Sequence, residues 1–343
     1  MKQLNVLVTG IGGPIAQGIL MGLKKLDSIN IVGVDRRPLT SGHHFCDKTY
    51  QIPRYSNKLA YKKAILEIID KEEIIAVFPG LHPEVKIFST FINKIPAEVA
   101  IPKSSVFSVL ENKVKTYHYL EDQGFDHYLP KYHSFYHNHE LRQIISEHFS
   151  AETYIVVKNA EAYGAIGSAI LTDHAHYIEA IDRNQNQVMA FEDYYSLPSC
   201  EGVERFIMPF IDAKEYSVDL FLHKGEVIVA VPRIRAGVSN GLVIEGEVIY
   251  DQELIQAASE TAKTLASEGF VNLQFFKTVN GLKLIDVNPR FAGSQVMSLG
   301  AGVNFPEIFL NYQVLGNEMT IQPKWNTKMF RYRVPVFYQE EED

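Results

Sequence analysis

The chain opens with two alternating kinds of block. Asn5 to Thr9 is a short apolar run, followed by the glycine-rich Gly10-Ile11-Gly12-Gly13 and by apolar positions at helical spacing from Ile15 to Lys25. A second apolar run, Ile31 to Val34, ends at Asp35. A helical stretch from Leu59 to Lys71 leads into a third run, Ile74 to Phe78, and the loop Pro79 to Glu84. Val99 to Ile101, closed by Pro102, ends this region. Strand and helix alternating over such short loops predict a parallel sheet covered by helices. From Ser104 the pattern changes. Ser105 to Gly124 has helical periodicity with Gly124 as a C-terminal stop, and Glu140 to His148 is a further helix. Strand patterns follow at Thr153–Lys158, Gly167–Leu171, Val203–Phe210, Glu215–Leu222 and Glu226–Arg233, and a helix from Gln252 to Glu268 precedes a hairpin from Val271 to Val287. The longer turns between these strands predict an antiparallel α+β arrangement.

A chain of 343 residues has room for two or three domains, and 46% hydrophobic with 22% charged residues describes a globular protein. The net charge of −8 argues against a nucleic-acid partner, which needs a basic face to displace counterions. It leaves open a polyanionic ligand held by local basic residues. The two cysteines, Cys46 and Cys200, cannot build a disulfide framework. The opening MKQLNVLVTG lacks a signal-peptide pattern, and no apolar run approaches the roughly 20 residues that span a bilayer. The expectation is a cytoplasmic protein without a membrane partner.

The Gly10–Gly13 turn after a strand, with Asp35 closing the next one, matches a dinucleotide-binding pattern and raises the alternative of an NAD(P)-dependent reductase. Tight packing of a helix on a sheet accounts for such glycines equally well. A short-chain reductase also needs a Tyr and a Lys one helical turn apart. The matching pair, Tyr154 and Lys158, lies in a β-branched run, where four residues separate the side chains by roughly 13 Å. His43, His44 and Cys46, and likewise His133, His137 and His139, have spacings that suit zinc, but no second cluster completes either set.

The C-terminal hairpin carries the most specific chemistry. Gln274, Asp286 and Asn288 interrupt strands otherwise built from Leu, Ile, Val and Phe. Hard cations such as Mg²⁺ take oxygen ligands, often one or two carboxylates with substrate phosphates. Asp286 and Asn288 share a strand face because they are two residues apart. A three-residue loop, Val279 to Gly281, with Gly281 in the left-handed region, would set Gln274 opposite Asp286; a two-residue Asn-Gly turn would not. Arg290 follows, placed for a phosphate.

These residues carry a family resemblance. Gln274 together with Leu284-Ile285-Asp286-Val287-Asn288-Pro289-Arg290-Phe291-Ala292-Gly293 resembles the metal-binding end of ATP-grasp enzymes, especially those similar to the large subunit of carbamoyl-phosphate synthetase. Gly300-Ala301-Gly302-Val303-Asn304-Phe305-Pro306 resembles the helix that follows in that group. The family usually has Glu where this chain has Asp286.

The resemblance extends over nearly the whole chain. It implies a pre-ATP-grasp domain over residues 1–103, an ATP-grasp domain over 104–330 with a mobile lid at about 125–200, and a tail from 331 to 343. Lys158, ahead of the small-residue loop that contains Gly164, resembles the lid lysine that holds phosphate oxygens, and Lys113 resembles a second phosphate-reaching base. Backbone groups near Met208 and Phe210 would hold adenine, and Glu215 the ribose; some relatives have an acid at the place of Met208. Arg233 and Arg235, alternate residues of a strand, would clamp the transferred phosphoryl group together with Arg290. Gly12 and Gly13, with His82 and Glu84 of the Gly80–Glu84 loop, end adjacent parallel strands and are candidates for the substrate side. The implied cofactors are ATP and Mg²⁺ or Mn²⁺, the metal held by Gln274, Asp286 and Asn288. The implied reaction makes an acyl phosphate from a small-molecule carboxylate (amino-acid or peptide-like) and passes it to an amine, in a monomer or homodimer; the alternative within the family is a non-catalytic nucleotide-binding relative, should Asp286 fail to recruit metal.

Overall fold

The computed structural model describes residues 3–161, 167–182, 188–197, 202–239, 242–332 and 334–339. The chain forms two compact units. Met1–Phe107, Glu215–Gln274 and Asn288–Asp343 make up the first, and Ser108–Lys214 with Phe275–Val287 the second.

The first unit begins with five strands: β1 (Leu4–Thr9), β2 (Ile29–Asp35), β3 (Lys48–Gln51), β4 (Ala76–Phe78) and β5 (Glu98–Val99). They pair in parallel in the order β3-β2-β1-β4-β5. Val6, Leu7 and Val8 of β1 are fully buried on both faces, the signature of a central parallel strand. The chain leaves β1 on one side for β2 and β3 and resumes on the other side with β4. The loops after β1 and β4 therefore flank the switch point of the sheet, where ligands of such folds bind. Two elements depart from the pattern reading. The edge strand β3 is too polar to stand out, and the loop expected up to Glu84 becomes the helix His82–Ser89 after Leu81. Pro83 suits its first turn, and the Glu84 carboxylate accepts from the Leu81 amide at 3.1 Å.

One face of this sheet is covered by the helices Lys58–Lys71 and His82–Ser89. On the other face the helix Pro14–Leu23 shares a core with Phe291, Phe305, Ile308 and Phe309. Phe78 meets Phe309 edge-on at 5.3 Å, and Phe291 stacks on Phe270 at 4.6 Å. Each such ring contributes about 1.5–3 kcal/mol of burial. The N-terminal sheet is thus completed by residues from the end of the chain, which is why the unit is discontinuous in sequence.

A six-stranded sheet comprises β11 (Lys214–His223), β12 (Glu226–Ser239), β13 (Leu242–Val248), β14 (Gly269–Thr278), β15 (Gly281–Asn288) and β16 (Thr327–Phe330), in the order β15-β14-β11-β12-β13-β16. The pairs β11–β12, β12–β13 and β13–β16 are antiparallel. Strand β12 runs past Arg233 to Ser239, with irregular register around Gly237, and neither β13 nor β16 stood out in the pattern. At the tip of the β14–β15 hairpin only Gly281 has a positive φ, +100°, while Asn280 does not. A type I′ turn needs both, so a two-residue Asn280-Gly281 turn of that type is excluded, and the positive φ at Gly281 agrees with the three-residue loop.

The second unit holds the sheet β6-β10-β7-β8-β9, formed by β6 (His133–Phe135), β7 (Ile155–Asn159), β8 (Ala169–Thr172), β9 (Val188–Ala190) and β10 (Arg205–Pro209). It is antiparallel except for β8–β9. Ile155, Val157, Leu171 and Ile207 bury one face against Leu141, Ile144, Phe149 and Tyr194. The single helix expected from Ser105 to Gly124 is two, Phe107–Leu110 and Lys113–Asp122. Asn112 breaks it by taking the N-cap of the second, accepting from the Lys115 amide at 3.0 Å. Among the described residues no helix is long and apolar enough to cross a membrane.

Candidate functional site

In the second unit the predicted residues gather around the helix Lys113–Asp122. Its first residue, Lys113, donates its backbone N–H to the Ala160 carbonyl at 2.9 Å, just beyond β7. The Lys113 ammonium lies 3.1 Å from Asp286 Oδ1, both side chains about one-fifth exposed. Further along the helix, the buried Tyr117 hydroxyl contacts the Leu284 and Ile285 carbonyls at 3.3 and 3.2 Å, fixing the helix against β15. Lys158 stands on β7 opposite Phe206, and Val156 opposite Met208. Cross-strand partners share a face, so Lys158 and Met208 lie on the same face of this sheet, away from the cluster around Ile155 and Val157. Tyr117 packs edge-on against Phe206 of that face at 5.8 Å. Lys113, Lys158, Asp286 and Met208 therefore belong to one neighbourhood.

Two residues of the expected adenine region stand differently from expectation. Met208 is buried, and the Phe210 amide donates to the Tyr154 carbonyl at 3.1 Å, so that donor is spent inside the protein. The Phe210 ring stays exposed, with an edge contact to Tyr154 at 6.2 Å. Gly164 lies outside the described residues. Tyr154 and Lys158 flank or occupy strand β7, not a helix, so they do not form the Tyr–Lys pair of a reductase.

In the first unit the two arginines of β12 part company. Arg233 has no exposed surface. It donates to Asp219 Oδ1 at 2.6 Å and to the Ser294 hydroxyl and carbonyl at 2.6 and 2.9 Å. Asp219, missed in the sequence, also accepts from Asn272 at 2.8 Å and Ser298 at 2.9 Å. Burial pulls the Arg233 pKa down, and the charge and hydrogen bond of Asp219 oppose it. As placed, Arg233 reaches no solvent, so of the two arginines expected to clamp an anion only Arg235 remains a candidate. That residue is mostly buried and bonds Glu215 Oε1 at 2.9 Å, the carboxylate expected to take the ribose.

Arg290 joins the two ends of the unit. Its Nε donates to His82 Nδ1 at 2.7 Å, one terminal nitrogen donates to Asn288 Oδ1 at 2.7 Å, and the other to the Phe291 carbonyl at 2.9 Å. Accepting at Nδ1 leaves the neutral His82 with its proton on Nε2. Asn288 is buried and Gln274 half-buried. Among the described residues no three His, Cys, Asp or Glu side chains cluster for a metal. Asp286 and Asn288 each bring an oxygen of the kind a hard cation takes. Asp286 Oδ1 lies beside Lys113 in the second unit, and Asn288 Oδ1 accepts from Arg290 in the first.

The strand-end loops meet as the topology requires. Glu84, almost wholly buried, accepts from the Thr9 hydroxyl at 2.5 Å, the Tyr61 hydroxyl at 2.8 Å and the Leu81 amide. Burial pushes its carboxyl up to about 7, against these hydrogen bonds. Thr9 and Tyr61 were not singled out in the sequence, and neither residue type marks itself. The glycine turn is closed by packing. A Cβ on Gly12 would lie 2.0 Å from a guanidinium nitrogen of Arg37, and one on Gly10 would lie 2.4 Å from Leu81, at a φ of +57°. The Gly12 amide donates to Asp35 at 3.0 Å, and Arg37 bonds the same carboxylate at 3.0 and 3.2 Å. Burial raises the Asp35 pKa, but Arg37 and the Gly12 amide outweigh it and hold the carboxyl below its usual range. The acid and amide that a dinucleotide would use are committed internally. Gly13 sits in the same turn, its amide donating to the Gly10 carbonyl at 2.8 Å.

A parallel-sheet domain followed by antiparallel sheets is the arrangement expected of an ATP-grasp fold. Residues 202–334 match the model of a family described as ATP-grasp in the biosynthetic pathway with Ter operon. Residues 6–100 match the PylC-like N-terminal domain. No curated protein matches the chain in sequence. Among solved structures, an ADP complex of N5-carboxyaminoimidazole ribonucleotide synthetase is similar at 16% identity and TM-score 0.66, over 96% of this chain and 80% of that one. The biotin carboxylase domain of Hydrogenobacter thermophilus 2-oxoglutarate carboxylase, solved with MgADP, ADP and bicarbonate, is similar at 14% identity and TM-score 0.68, over 95% and 73%. An L-amino acid ligase from Bacillus licheniformis is similar at 12% identity and TM-score 0.62, over 90% and 74%. With the family models, this likeness of fold places the chain in the ATP-grasp superfamily, with a Rossmann-like domain ahead of the ATP-grasp fold.

Proposed function

We propose that this protein is an ATP-dependent ligase that activates a small-molecule carboxylate as an acyl phosphate and couples it to an amine, releasing ADP and phosphate. The observation that supports this most is the Lys113–Asp286 contact. It sets a phosphate-binding lysine beside the metal-ligand candidate, with the same lysine's backbone tied to the end of the Lys158 strand. The similar structures with ADP or MgADP agree with this reading at the level of fold.

Asp286, Asn288 and Gln274 would hold Mg²⁺, which supplies charge neutralisation at the phosphates. Lys113 and Lys158 bind phosphate oxygens, and the exposed Phe210 ring offers a face for the base. Arg290 and Arg235 stabilise the charge that develops on the transferred group. Taking up a ribose at Glu215 requires Arg235 to share or release that carboxylate, so nucleotide binding and freeing of Arg235 are coupled. Arg233 acts as a positioning residue through Asp219. His82, held by Arg290, stands on the substrate side. The test is calorimetric binding of Mg-ADP, followed by ADP release with a panel of carboxylic acids and amines. Binding that is lost in Lys158→Met and loses its Mg²⁺ dependence in Asp286→Ala, with acid-dependent turnover in the native chain, is expected. Absence of Mg-ADP binding to the native chain would refute the proposal.

A further inference from the structure

A cavity of about 280 Å³ opens at the carboxyl ends of the N-terminal strands, wholly within the first unit. Its charged lining consists of Asp35, Arg36, Arg37, Arg54 and Glu84, with Tyr55 as an aromatic wall. Arg36 and Arg37 leave the end of β2, and Arg54 follows β3 with its guanidinium 5.6 Å from the Tyr55 ring centroid.

The two carboxylates do not balance the three guanidiniums. Asp35 is spent on Arg37 and the Gly12 amide, and Glu84 on Thr9, Tyr61 and the Leu81 amide. Burial raises the Glu84 carboxyl to about 7, which further reduces the negative charge it brings near neutrality. Arg36 and Arg54 are exposed, and among the described residues neither is paired with a carboxylate. Guanidinium groups lining a concave site are suited to bidentate recognition of carboxylate or phosphate. The cavity is too small for a dinucleotide and fits a compact anion.

We propose that this cavity binds the carboxylate or phosphate group of a small anionic substrate, with Arg36 and Arg54 as its ligands and Tyr55 as its wall. Naming the ligand a substrate rests on the ligase reading; the anion site itself does not. The site lies at the switch point of the sheet, beside the loops that carry Gly12 and His82. It therefore selects among substrates by their charged tail.

The experiment is isothermal titration of the full chain at low salt with inorganic phosphate, ribose 5-phosphate, citrate and glutamate, each with and without Mg-ADP. At least one probe is expected to bind. Arg36→Gln and Arg54→Gln should each weaken it tenfold or more, and the double variant should abolish it. Melting temperature and Mg-ADP affinity should stay unchanged, as should anion binding in Arg142→Gln, a control at an exposed arginine of the helix Asn138–His148 in the second unit. The phosphate pair against the carboxylate pair identifies the source of the anion. Failure of all four probes, or binding that survives the double variant, overturns the cavity proposal. Anion binding lost in the double variant, in a protein that never binds Mg-ADP, keeps the cavity and removes the ligase reading instead.

Discussion

Replacing Asp219 by Asn tests what Arg233 does. The substitution keeps the size and one acceptor of the side chain, so it opens no cavity, but it leaves the guanidinium without its counter-charge. Both side chains have no exposed surface, and Asp219 also receives Asn272 and Ser298. Removing one partner of such a pair costs roughly 3–5 kcal/mol, because the remaining charge stays buried. In a body of roughly 200 residues about 1 kcal/mol moves the melting temperature by about 2–4 °C, so Asp219→Asn should lower it by about 6–20 °C. The only tryptophan, Trp325, contacts Tyr250 edge-on at 5.5 Å in the same unit and reports the transition by fluorescence. Adding Arg233→Met to Asp219→Asn removes the stranded charge and should restore at least half of the loss. A drop below about 4 °C for the single variant, or a double variant no more stable than the single, would refute the assignment of Arg233 to the framework.

Three further outcomes follow from the same geometry. Glu84 has its carboxyl raised from 4.5 to about 7, so the folded state holds this proton more tightly than the unfolded chain does. Its contribution declines as pH rises from about 4.5 to about 7, by about 3 kcal/mol in all. Urea unfolding across that window should show the slope in the native chain and not in Glu84→Gln; parallel curves would remove Glu84 as its source. Arg205 is fully buried in the second unit on Asn138 and the Tyr194 hydroxyl at 2.8 and 2.9 Å, with its guanidinium 4.6 Å from the Phe135 ring centroid. Arg205→Ala should cost roughly 3 kcal/mol there through lost bonds and an unfilled core, read by hydrogen exchange of β7 and β10. Asp286→Ala should abolish the Mg²⁺-dependent gain in ADP affinity, whereas Lys113→Met should weaken ADP and retain that gain. Equal Mg²⁺ dependence in both variants, by calorimetry, would contradict the metal assignment.

The parts of this fold that are legible in the sequence are those whose burial is local. Val6-Leu7-Val8 and Ile31-Val32 read as strands because a central parallel strand is apolar on both faces. The edge strand Lys48–Gln51 has no such run, and its pairing depends on β2 being already in place. The long helix expected after Ser105 fails at one residue, because Asn112 competes for the backbone as a cap and periodicity alone does not show which use prevails. The glycine turn was visible, but not its reason. That reason lies in Arg37 and Leu81, which occupy the space that side chains at Gly12 and Gly10 would need.

The candidate site divides in the same way. Asp286, Asn288 and Arg290 stand out because polar groups in an apolar hairpin need partners. Asp219 does not, since its claim on Arg233 exists only through the pairing of β11 with β12. The bond between Arg290 and His82, 208 residues apart, belongs to this second kind. It gives the two halves of the sequence reading a physical connection. Arg290 was assigned to phosphate and His82 to substrate, and one hydrogen bond at 2.7 Å fixes the orientation of the first and the tautomer of the second. The positions of Arg290 and His82 are therefore tied through a single guanidinium, in a way that neither local motif contains.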